Sequence, residues 1–162
     1  MRWLNVLRIL LLTSATAHLT WEVAQLPLYT IWWTGSTAEI VFAVVHCTVG
    51  DLVIMTSSLV ASLVIFGHGW PTASTSFRNV ALATIVLGVG YTVYSEWLNV
   101  NVRGTWAYTA WMPRIPPLET GLLPLLQWIV VPGLAFTTVR RRLLPGSRKN
   151  EAPSSRGGSG ES

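Results

Sequence analysis

Residues 38–66 read AEIVFAVVHCTVGDLVIMTSSLVASLVIF, an apolar run with no Lys or Arg. A helix needs about 20 mostly apolar residues to cross about 30 Å of hydrocarbon, so this stretch is long enough to span a bilayer. It lacks strand-like alternation, and a barrel would need many short alternating segments. Working outward, three further apolar segments have spanning length. One runs over about 4–26 and is stopped by Pro27. Another covers about 79–99, and the last covers about 118–139 and meets Arg140, Arg141 and Arg142. The expectation is an all-α fold, a four-helix transmembrane bundle occupying residues 1–142. From Pro145 the composition is mostly Gly, Ser, Pro and charge, and residues 143–162 read as a disordered cytoplasmic tail. A competing reading takes the start as a signal peptide, with Ala15-Thr16-Ala17 as its small-residue site. Its apolar core is short, and the hydrophobic run continues past that point.

Composition agrees with a membrane protein. Only 11% of the 162 residues are charged, against about 25% in an ordinary soluble domain. Mean hydropathy is +0.46 and the pI is 9.8. The basic residues flank apolar segments or lie in the tail, so they read as topology signals and not as a nucleic-acid surface. With the N-terminus in the cytoplasm, nine lie inside: Arg2, Arg8, Arg78, Arg140, Arg141, Arg142, Arg148, Lys149 and Arg156. Two, Arg103 and Arg114, lie outside. This bias places both termini in the cytoplasm, at what reads as a bacterial inner membrane. The outer loops 27–37 and 100–117 then carry Tyr29, Trp32, Trp33, Trp106, Tyr108 and Trp111, as an interfacial aromatic belt does. The single Cys47 excludes an intramolecular disulfide and paired-thiol redox chemistry.

Polar groups inside the spans ask for a purpose. Glu22, Glu39, Asp51, Glu96 and Glu119 lie in or at the edge of them, and a mid-helix charge costs roughly 2.5–3.5 kcal/mol on insertion scales. At about 1.5 Å per residue, His18 lies about 5 Å outward of mid-membrane, and Glu22 and Glu96 about 10 Å. Asp51 falls near the middle, with His46 about 8 Å further out, and Gln127 is also near the middle. His18, Glu22 and Gln25 share a helical face, as do Glu39 and His46, and Thr92, Glu96 and Asn99. Three such stripes turned inward would make a polar pocket in the outer half, capped by the aromatic loop. Blander readings stand beside this one. Glu39 and Glu119 near helix starts suit the helix dipole, and Gln127 and Trp128 suit interhelical packing.

Two chemistries fit these residues. His18 and His46 could ligate a haem or a metal, although no C-x-x-C-H attachment motif is present. Alternatively, a carboxyl in a low-dielectric pocket could donate a proton, with a histidine as relay or base. In that reading Glu22 is the donor, His18 its partner and Glu96 a further catalytic carboxyl. Glu39, His46, Asp51, Gln127 and Trp128 would contact the ligand.

The segments "HLTWE" (18–22), "AEIVF" (38–42) and "QWIVVPGLAF" (127–136) together resemble the emopamil-binding protein and sterol isomerase (EXPERA) family, in order over most of 15–140. The resemblance implies that His18, Glu22, Glu39 and Trp128 line a sterol-type pocket and support proton transfer. The family's polar Asn before the Trp falls here on Leu125. Residues 106–127, with W-A-Y-x-x-x-M-P before G-L-x-P-x-x-Q, also resemble small bacterial membrane proteins without assigned activity. Three function classes follow: a pocket for a lipophilic molecule with acid–base chemistry on a lipid or isoprenoid, a non-enzymatic bundle whose polar groups fix packing, and a haem or quinone redox protein. The partners implied are the bilayer and a lipophilic ligand. Oligomeric state is not legible.

Overall fold

A computed structural model describes residues 2–143. The expected tail, apart from Leu143, therefore lies outside the described residues. In chain order the elements are α1 (Arg2–Gln25), a 3-10 turn (Leu26–Leu28), the one-turn α2 (Ile31–Thr34), α3 (Thr37–Phe66) and α4 (Ser74–Glu96). A π-helical turn (Trp97–Val102), β1 (Arg114–Ile115), β2 (Thr120–Gly121) and α5 (Leu122–Leu143) follow. The fold is mostly helical, with β1 and β2 forming one small antiparallel pair. α1 and α4 each pack on both α3 and α5.

α3, α4 with its extension to Val102, and α5 are each long and apolar enough to cross a membrane. α1 has similar length, but Arg8, His18, Glu22 and a run of Ser and Thr dilute its hydropathy. Its exposed Thr16 and Thr20 hydroxyls donate to the carbonyls four residues earlier, at 2.9 and 2.8 Å, which satisfies them without water. α1 passes through Ala15-Thr16-Ala17 unbroken.

Local chemistry sets the ends. Ser36 caps α3, and Glu39 closes a capping box by accepting from the Ser36 backbone N–H at 2.8 Å. α4 starts five residues before the apolar run suggested, and α5 starts four residues after. The second shift arises because residues 116–119 form the turn of the β1–β2 hairpin. Glu119 stands there at φ +53°, exposed and in the left-handed region, not in a helical first turn.

The interior is divided along its length. At one end Val6, Leu10, Met55, Leu59, Phe77, Val80, Phe136 and Val139 form an apolar core, with the Phe77 and Phe136 rings edge-on at 5.8 Å. At the other end α1 buries His18, Glu22 and Gln25, α4 buries Thr92 and Glu96, and α5 buries Gln127. Between the two, Gly88 of α4 meets Trp128 of α5. A Cβ on Gly88 would fall 2.0 Å from the indole. Outside, Val41, Phe42, Val49, Val53, Val60, Val64 and Ile65 of α3 are exposed. Polar groups buried beneath apolar faces invert the pattern of a water-soluble domain and suit a membrane location.

Candidate functional site: a buried carboxyl–histidine cluster

The polar end is organised around one side chain, Gln127. Its Nε2 lies 2.9 Å from His18 Nδ1, 2.9 Å from Glu22 Oε1 and 2.7 Å from Asp51 Oδ2. Its Oε1 accepts from Gln25 Nε2 at 3.3 Å, and that nitrogen also donates to Glu22 at 2.9 Å. Trp21 Nε1 donates to Gln25 Oε1 at 3.1 Å. His18 Nδ1 stands 3.2 Å from Asp51 Oδ2, and the imidazole packs on the Trp128 indole with centroids 5.3 Å apart. His18 is fully buried, and its Nε2 has no hydrogen-bond partner among the described residues.

The donor count constrains the site. A glutamine amide carries two N–H hydrogens, yet three acceptor-type atoms surround Gln127 Nε2. If His18 Nδ1 carries a proton, it donates to Asp51 and the amide serves the two carboxyls. If His18 Nδ1 is bare, it takes one amide hydrogen, and one carboxyl must bring its own proton. Either arrangement packs two carboxyls together with no Lys or Arg ion pair among the described residues. Close carboxyls in a low-dielectric site cannot both ionise without a compensating charge. The cluster is thus a place where one proton has several closely spaced homes.

A second polar centre lies beside the loop. Tyr108 Oη donates to Glu96 Oε2 and accepts from the Gly121 backbone N–H at 3.0 Å. The Tyr29 and Tyr108 rings tilt against each other at 5.4 Å, and the two residues form an isolated antiparallel bridge. The Arg114 guanidinium stands 5.6 Å over the Tyr108 ring. Burial, then the Glu96 charge, pushes the Tyr108 phenol well above its usual range, so it stays a donor.

Of the residues expected in one pocket, the structure joins His18, Glu22, Asp51 and Gln127, with Trp128 as a wall. Glu96 is buried but is held by Tyr108. Glu39 is exposed and spent on the α3 cap. His46 is exposed and stacked on Phe42 at 5.4 Å. It precedes the fully buried Met55 by nine residues, two and a half turns, so it points to the opposite side of α3. The stripe that turns inward on α3 contains Asp51 and Met55. His18 and His46 are therefore not a facing ligand pair. Gln127 was read both as packing material and as a ligand contact, and Tyr108 only as part of an interfacial belt. Both make central contacts, and Tyr108 reaches Glu96 across a loop that carries no periodic signal. No family model, no curated protein and no solved structure matches the chain.

Proposed function

We propose that the chain is a multi-pass integral membrane protein with four spans and both termini in the cytoplasm. In this reading the His18–Glu22–Asp51–Gln127 cluster is an acid–base site for the polar end of a lipophilic molecule, such as a lipid or isoprenoid. One observation carries it: two carboxyls and an imidazole converge on the Gln127 amide at 2.7–2.9 Å while His18 Nε2 is left unpaired. The Ser14, Thr48 and Thr120 hydroxyls and the Trp70 and Trp106 indoles also lack partners among the described residues, but the His18 atom alone is an imidazole nitrogen beside two carboxyls.

Glu22 is the proton donor and His18 Nε2 the acceptor. A double-bond shift needs one proton delivered to a carbon and one removed from a neighbouring carbon. Glu22 supplies the first and His18 takes the second. His18 then passes its Nδ1 proton to Asp51, 3.2 Å away, and Asp51 re-protonates Glu22; this leaves the imidazole as its Nε2–H tautomer, and uptake of a proton at Nδ1 with release from Nε2 resets the site. The EXPERA resemblance points the same way for His18, Glu22 and Trp128, but Glu39 has no place in this cluster.

A packing role is the second reading, favoured by the mutual bonding of Gln25, Gln127 and Glu22. The test is purification in mild detergent or nanodiscs, mass spectrometry of retained lipids, and turnover of whatever lipophile is retained. Glu22→Gln should stay folded and lose turnover. Retention of no specific lipophile, or full turnover in Glu22→Gln, would refute the acid–base reading.

A further inference from the structure

The helices do not cover the cluster equally. On α1, α4 and α5 the inward residues stay buried at the polar end: His18, Glu22 and Gln25, then Thr92 and Glu96, then Gln127. α3 changes along one face. Met55, Ser58, Leu59 and Ser62 are buried. Asp51 precedes Met55 by four residues and Ser58 by seven, so it shares their face. Val44, Cys47 and Thr48 stand seven, four and three residues before Asp51 and continue it. All four are half-buried, and Thr37, seven residues before Val44, is exposed. The face that is covered from Met55 onward is thus uncovered towards the start of α3. Among His18, Glu22, Gln25, Asp51 and Gln127, only Asp51 is half-buried, with 13% of its side chain accessible. Access to the cluster is therefore greatest at Asp51, from the α3 side.

The chemistry of this strip selects an occupant. Exposed Val41, Val45 and Val49 flank it, so in a bilayer it opens on hydrocarbon. Thr37 to Asp51 is fourteen residues, about 21 Å of helix, which suits an extended chain. Polar atoms stand at its inner end. Thr48 Oγ1 is buried and has no hydrogen-bond partner among the described residues. The Thr56 and Ser62 hydroxyls of the same helix donate to the carbonyls four residues earlier, both at 2.7 Å, but that of Thr48 does not. Three residues apart on a helix, Thr48 and Asp51 are neighbours. α3 has no Lys or Arg, so an anionic head would meet two carboxyls and no counter-charge. An ammonium head would carry its charge through hydrocarbon. A hydroxyl does neither, since it donates to a carboxylate and accepts from a threonine.

We infer that the N-terminal half of α3 is the wall of a lateral opening to the bilayer, and that its occupant is a single-chain lipophile with a hydroxyl head. The chain lies along Val44 and Cys47, and the hydroxyl sits between Thr48 and Asp51. The inference rests on the reading of the cluster as a lipophile site, and it adds the side of entry, the wall and the head group.

The test uses a long-chain alcohol with a diazirine in its chain, photolysed with the intact protein in nanodiscs and mapped by mass spectrometry. Label should concentrate on residues 44–51. Excess unlabelled alcohol should displace it, and the fatty acid of equal chain length should not. Cys47→Trp fills the strip and should abolish the label, and Val44→Trp, nearer the helix start, gives a second block. Val53→Trp, on the exposed opposite face, should leave labelling unchanged. Thr48→Val should weaken displacement by the alcohol about fivefold, the loss of one hydrogen bond. Label spread evenly around α3, or undiminished in both blocking variants, would overturn the opening. Equal displacement by the fatty acid would overturn the hydroxyl head. The acid–base reading fails separately: full turnover in Glu22→Gln, with labelling still blocked by Cys47→Trp, would refute that reading and leave the opening standing.

Discussion

Gly88→Ala should damage the fold, whereas Gly90→Ala two residues away should not. A Cβ at Gly88 would lie 2.0, 2.4 and 2.9 Å from Cε3, Cζ3 and Cδ2 of Trp128, while at Gly90 nothing lies within 4 Å. Trp128 is fully buried and backed by His18 at 5.3 Å, so its ring cannot simply swing aside. Overpacking of this kind costs typically about 1–3 kcal/mol, and the depth of this overlap puts it at the upper end. Replacing a helical glycine returns about 1 kcal/mol of propensity. The net loss at Gly88 is then about 2 kcal/mol, against a gain of up to about 1 kcal/mol at Gly90. Thermal unfolding in one detergent, followed by tryptophan fluorescence and circular dichroism, gives the order Gly90→Ala, wild type, Gly88→Ala. Equal midpoints for the two variants would refute the α4–α5 packing described here. A displaced Trp128 should also disturb the neighbouring imidazole, giving Gly88→Ala an altered His18 NMR signal that Gly90→Ala does not share.

Two further outcomes follow from the loops and from α3. The native state holds Tyr108 protonated beyond the ordinary tyrosine range, so above about pH 10 the unfolded chain binds fewer protons than the folded one. Stability should fall with rising pH there, and spectrophotometric titration should find tyrosines that ionise only on unfolding; free ionisation of all four tyrosines near pH 10 in the folded protein would contradict this. His46→Leu changes an exposed side chain stacked on Phe42. It should move the stability measured by unfolding by no more than about 0.5 kcal/mol, and a larger loss would place His46 in the interior.

What the amino-acid pattern disclosed depended on whether a helix carries its own phase marker. On α1 the 4-then-3 spacing of His18, Glu22 and Gln25 continues the apolar positions Val6 and Leu10, so its inward face was readable. On α4 Thr92 and Glu96 extend the line of Val80, Thr84 and Gly88 in the same way. α3 is apolar on every side, so periodicity could not tell its lipid-like face from its core face. The spacing of Glu39 and His46 was a true helical repeat on the wrong side. The inward phase was set by Met55, Ser58, Leu59 and Ser62, and among these only the two serines stand out from the surrounding valines. The start of α5 was misplaced because a hairpin made of Pro, Leu and Glu looks apolar in composition.

Gln127 and Trp128 are adjacent on α5, and their neighbours tie packing to proton chemistry. Trp128 is admitted by Gly88 on one side and supports the His18 ring on the other. Its position therefore fixes how closely α5 approaches α4. The same approach sets how far the Gln127 amide reaches towards Glu22 on α1 and Asp51 on α3. A structural role and a chemical role for the cluster are then successive demands on one contact, not rivals. The distinction lies in what each tolerates at Glu22. An uncharged amide there still bonds Gln25 and Gln127, so folding survives Glu22→Gln, but no carboxyl proton remains to be given. A leucine removes the acceptor as well; Gln127 keeps Asp51 and His18, but one Gln25 donor is left unpaired in the core at about 1–3 kcal/mol. The gap between these two variants measures packing, and the gap between Glu22→Gln and wild type measures chemistry.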